Sequence, residues 1–224
     1  TQEIVDKDHT FWSDYSERLI GTNVVHYDTP ISNITQFAER VYVNKNYEGF
    51  IGDPRFVRDE DGQKAFSKLR SSIAGVYAWR VSKAIERGAL QLELRPANTL
   101  NPAEKQILDD YRRMFREAEF AFKQAYAFCP FSPEALYRYV QLLAGARRFD
   151  DALLLAKTSK VLDPVNTGLD RLVEELEKMK SQGGQPMPTA AAQNAQQLAQ
   201  AEAAFRANPG DLNTAAALAQ MYAS

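Results

Sequence analysis

Few side chains in this sequence have the types that chemistry requires, and their spacing decides what they can do. His9 and His26 are the two histidines, and neither has a cysteine or a second histidine at metal-ligand spacing, so no zinc site is expected. The run "RDEDGQK" offers Asp59, Asp61 and Gly62 as positions three, five and six of a calcium loop. Positions one and twelve would then be Val57 and Lys68, where the coordination needs carboxylates. Cys129 sits beside Pro130 among apolar neighbours and reads as an inert buried thiol rather than a nucleophile. The carboxylate pairs Asp109-Asp110 and Glu174-Glu175 read as solvated helix surface rather than as acid and base. A phosphate loop, a dinucleotide glycine pattern and a nucleophile elbow are all missing from the sequence. No catalytic residue, metal ligand or cofactor is nominated.

Helical periodicity must position whatever remains. Phe11, Trp12, Tyr15 and Leu19 form one apolar stripe, and Ile31, Ile34, Ala38 and Val41 form another, with Thr29-Pro30 as its start signal. Asp53-Pro54 repeats that signal ahead of a long helix ending near Gly88. Residues 89–101, "ALQLELRPANTLN", lack a stripe and read as a connector with a short extended piece. Asn101-Pro102-Ala103-Glu104 has the form of a capping box, opening a helix expected to run to about Phe128. Ser132-Pro133-Glu134 opens the next helix, and "RRFDDALLLAKTSKVLDP" supplies one more.

Phe115, Ala118, Phe122 and Pro130 stand 34 residues before Phe149, Ala152, Ala156 and Pro164. That is the tetratricopeptide period, in which small residues let a second helix lie close on the first and a proline ends it. The expected fold is therefore all-α: tetratricopeptide-like helical hairpin repeats in an α-α superhelix, preceded by short N-terminal helices. Residues 1–63 form the N-terminal segment, 64–181 the repeats with an insertion at 89–101, 182–190 a Gly/Pro-rich linker, and 191–224 an Ala/Gln-rich partial repeat. In that tail Ala201, Ala204 and Pro209 mark a further copy, and an exposed terminal repeat would favour self-association.

In such repeats the first helices line a concave face. With Leu136 and Tyr139 in the seam, Tyr137, Arg138 and Gln141 point toward that groove, and Ser71, Ala78 and Trp79 hold similar places upstream. Tyr, Trp and Arg are the residues binding hot spots favour, so a protein or peptide partner is expected, although Trp79 could equally be core. Nucleic acid is not expected, because 27 basic and 29 acidic residues leave a formal charge of −2. No apolar run approaches the roughly 18 residues of a membrane span, so this stretch does not insert. The abrupt start at Thr1 and the stop at "AQMYAS" suggest a piece of a longer protein.

Four segments carry a family resemblance: "HYDTPISNITQFAERVYV", "GFIGDPRFVRD", "QKAFSKLRSSIAGVYAWR" and "AFCPFSPEALYRYVQLL". Over residues 9–165 the chain resembles the C-terminal soluble region of a bacterial family of multi-spanning membrane proteins, similar to transmembrane protein O-mannosyltransferases. The resemblance implies a lipid-linked-sugar glycosyltransferase whose catalytic residues lie in a membrane-embedded half outside this sequence. It also implies that this region works on the extracytoplasmic, periplasmic side. Two roles follow: a non-catalytic protein-binding repeat module, or an accessory glycan or small-ligand domain with a cleft closed by Tyr47, Phe50 or Trp79.

Overall fold

The computed structural model describes residues 2–182, and these form helices with no strand among them. Helix α1 spans Gln2–Ile20 and α2 spans Ile31–Ala38, running on into a π-helical turn at Glu39–Val43. Helix α3 spans Glu60–Glu86, α4 Ala89–Glu93, α5 Pro102–Phe128, α6 Pro133–Gly145, α7 Phe149–Leu162 and α8 Thr167–Ser181.

Some start signals act as read. Asn101 Oδ1 accepts from the Glu104 amide at 2.9 Å while Glu104 Oε2 accepts from the Asn101 amide at 2.9 Å, a complete capping box. Others are redirected by local competition. Thr29 Oγ1 accepts from the His26 amide at 2.7 Å, closing the preceding turn, so Pro30 takes the cap position of α2 without a side-chain cap. Asp53 Oδ1 accepts from the Arg55 amide at 2.8 Å and starts only a 3-10 turn at Phe56–Arg58. The long helix begins later, capped by Asp59, whose Oδ1 accepts from the Gly62 amide at 3.0 Å. The "RDEDG" aspartate is thus a helix cap. Residues 89–101 are not extended: Gly88 at φ 90° turns the chain into α4, and a 3-10 turn follows at Ala97–Thr99. Buried Ala89, Leu92 and Leu100 anchor this stretch to α3 and α5.

Helices α3 and α5 are antiparallel neighbours, since Arg70 reaches Gln124 while Arg80 reaches Asp110. Helix α6 packs back on α5, where the Phe122 and Tyr139 rings stack at 5.7 Å. Helix α7 returns on α6, and α8 on α7 through Lys157–Glu177 at 2.7 Å and Lys180–Asp150 at 2.5 Å. Every residue from Phe120 to Pro130 is buried, because α1 and α2 cover the side of α5 that its hairpin partners leave open. A helix apolar on one stripe would remain half-wet there, whereas "FAFKQAYAFCP" is apolar nearly all round. Its two polar residues are satisfied: Lys123 Nζ donates to the Tyr27 carbonyl at 2.8 Å and Gln124 Nε2 to the Trp12 carbonyl at 2.9 Å. Tyr42 closes the end of α5 by donating to the carbonyls of Ala127 and Phe128 at 2.8 and 3.1 Å. The N-terminal segment therefore shares one core with the hairpins.

The described residues fall within a single compact unit. The expected tail repeat at 191–224 and its self-association lie outside the described residues.

Candidate functional site

Three of the four side chains nominated for binding reach solvent on α3 and α6. Trp79 is 60% exposed, which rules out the core position it could have taken. The Arg138 guanidinium lies over α3, since a methyl group on Gly75 would stand 2.7 Å from its Nη1. Gly75 is one turn from Trp79, so Trp79 and Arg138 border the same outward face. Glu134 steadies Arg138 at 2.9 Å, and Gln141 is exposed one turn further along α6. Tyr137 is placed differently: it is half-buried and its hydroxyl lies beside Gly168 at the start of α8. Ser71, expected in the groove, is fully buried and donates to the Lys68 carbonyl at 3.1 Å, while Ala78 is half-buried. The row facing out of α3 is Leu69, Val76 and Trp79, at 56, 59 and 60% exposure. Spacings of seven and three residues keep these three on one face of the helix.

Of the aromatics proposed to close a ligand cleft, Tyr47 and Phe50 are brought together and Trp79 stands apart. Tyr47 and Phe50 pack on each other at 6.3 Å, with Phe37 behind and Arg58 over the Tyr47 ring. Trp79 instead lines a groove that contains neither of them.

Sequence reasoning missed a buried polar network beneath α1. Arg70 is fully buried, donating from Nε to Gln124 Oε1 at 2.6 Å and from Nη1 to Asp8 Oδ2 at 2.8 Å, with the Trp12 ring 5.2 Å away. Tyr77 donates to the same Asp8 oxygen at 2.9 Å. Burial pulls the Arg70 guanidinium below its ordinary pKa, and the Asp8 carboxylate pulls back. On the other side of α1, Glu117, 1% exposed, accepts from the Tyr27 hydroxyl and lies 3.2 Å from His9 Nδ1. His9 stacks on Tyr27 at 4.3 Å and meets Phe120 at 4.6 Å. Burial first, then the bond to Glu117, pushes the Tyr27 phenol well up, and burial with Asp8 does the same for Tyr77. Such a trio resembles acid-base machinery, yet each member is engaged with α1 or its loop, which makes it a fastening. Asp and His inside an apolar-looking N-terminal stripe were the only hint that sequence carried. Cys129 is buried and its thiol pushed up by that burial, as an unreactive cysteine should be. His26 is exposed beside Asn23, and Asp110 pairs with Arg80. Among the described residues no group of acidic, His or Cys side chains could hold a metal.

Helix α1 lies in the channel between α3 and α5, parallel to α5, with Asp6 on Arg113, His9 on Glu117 and Trp12 on Gln124. A groove of about 1070 Å³ lies beside the first turn of α1, lined by Gln2 and by residues of α3 and α5. Trp79, Ala84, Ala103 and Ile107 form its apolar part, and five cations line it against two carboxylates. No known family, curated protein or solved structure matches this chain.

Proposed function

We propose that the chain is a non-catalytic, tetratricopeptide-like module that binds a protein or peptide on the outward face of α3 and α6. The observation that carries this is Trp79 at 60% exposure, with Leu69 and Val76 beside it in one row and Arg138 and Gln141 across from it. Leaving such an indole wet forfeits about 1.5–3 kcal/mol of burial, and partners exploit such positions as anchors. Support for the repeat comes from the helix pairs α3/α5 and α6/α7, which enclose the two copies of the 34-residue pattern. Ala118 and Ala152 of those copies are fully buried at helix contacts, where a small side chain permits close approach. The resemblance to the soluble end of membrane glycosyltransferase-like proteins implies a module on the extracytoplasmic face of a bacterial membrane, holding an acceptor protein or organising the complex.

Photo-cross-linking in the native host tests the binding face. A cross-linking residue at Gln141 or Val76 is expected to give a discrete covalent adduct with a protein, and one at exposed Lys178 on α8 to give none. Adducts with no protein from either face position would overturn the reading, and saturable sugar binding abolished by Trp79→Ala would redirect it to a glycan site.

A further inference from the structure

We infer that the outward face of α3 pairs with the same face of a second copy of this chain, the two helices running antiparallel about Ser72. This names the partner of the α3–α6 face and rests on the reading of that face as a protein-binding surface. Ala65, Leu69, Ser72, Val76, Trp79 and Lys83 follow one another at alternating spacings of four and three residues, and all six are exposed. At that spacing one helix presents a continuous seam along which another can lie. The sides of α3 next to the seam are already taken. Asp8 and Tyr15 of α1 meet Arg70 and Phe66 on one side, and Arg138 of α6 lies over Gly75 on the other.

Size and charge along the seam identify the occupant. Ala65 and Trp79 each stand seven residues from Ser72, and Asp61 and Lys83 each stand eleven. An antiparallel copy centred on Ser72 therefore sets each Trp79 indole over the small Ala65 of the other copy and each Lys83 beside its Asp61, with Leu69 and Val76 filling the middle. A parallel copy would set Trp79 on Trp79 and Asp61 on Asp61, which mismatches both bulk and charge. Lys64 is engaged with Glu60 at 3.6 Å, so Asp61 has no cation among the described residues. Lys83 pairs with Glu86 at 2.7 Å, an exposed contact weak enough to be shared. Every contact across a two-fold axis is made twice. Six seam positions are nevertheless far fewer than the roughly 20–30 residues a side of a stable interface, so the pair is reversible and its population rises with concentration.

Sedimentation of the intact chain over a rising concentration series tests the proposal, with cysteine cross-linking to fix the geometry. Dimer is expected to accumulate with concentration, to weaken at least about tenfold in Trp79→Ala, to weaken in D61K, and to recover in D61K/K83D, which restores opposite charges across the axis. Under oxidising conditions S72C is expected to form a covalent dimer. A65C, whose two copies would stand about 21 Å apart along the helices, and K178C on α8 are expected to form none. A65C dimers forming as readily as S72C dimers would overturn the antiparallel pairing. A chain that stays monomeric throughout, or a dimer untouched by Trp79→Ala and D61K at unchanged helicity, overturns the second copy as partner. The binding face is judged separately: a cross-linker at Val76 that captures a different protein while the chain stays monomeric upholds the face and removes the second copy, whereas no adduct and no dimer removes both.

Discussion

The two ends of the channel between α3 and α5 are built by the same pair of 27-residue helices yet have opposite fates. At one end α1 is seated, Arg70 and Glu117 are sealed from water, and Trp12 is 6% exposed. At the other end, among the described residues, the lining cations reach solvent and Trp79 is 60% exposed. The walls do not make the difference. A charged wall becomes a dry core only where a third element delivers carboxylates and apolar bulk together, since a buried ion is tolerated only when paired and hydrogen-bonded.

Substitutions can break that comparison. The largest effect is expected at the filled end: Trp12→Ala should destabilise the chain by about 3–5 kcal/mol in denaturant unfolding. Arg70→Met should cost about 3 kcal/mol, because it strands Asp8, and Asp8→Asn in the same chain should recover much of it. Recovery would show that the stranded charge, rather than lost packing, carries the effect. Alkaline pH should loosen this end next. The folded state holds the Tyr27 and Tyr77 protons that an unfolded chain releases near pH 10, so their contribution is full below about pH 10 and falls as pH rises further. Melting temperature should therefore drop above that pH, and less steeply for Tyr77→Phe. Smallest of all is the solvent-exposed end: Trp79→Ala and Lys105→Glu should each change stability by no more than about 0.5 kcal/mol. A cost at Trp79 comparable to that at Trp12 would erase the distinction between the two ends.

Much of the fold was legible along the chain. The capping box at Asn101, the cap at Ser132 and the burial of Leu136, Tyr139, Val140 and Leu143 follow from spacing, because a helix repeats its contacts every few residues. The start of α3 was not legible, since Asp53 and Asp59 both suit a cap and only the turn at Phe56–Arg58 separates them. Of the residues nominated for binding, Trp79, Arg138 and Gln141 reach the surface, while Tyr137 turns toward α8 and Ser71 is buried. A helical wheel distinguishes inside from outside but not which neighbour stands on each flank.

What the sequence determined by itself was an all-helical chain with a 34-residue recurrence and no catalytic constellation in its text. Tertiary structure decided which of two tryptophans is core and which is surface, and where the buried charges lie. The physical reason is distance along the chain. Asp8 and Arg70, or His9 and Glu117, are separated by 62 and 108 residues. Local periodicity carries no information about such pairs. They exist because α1 folds back onto a channel whose walls are assembled from helices much further along.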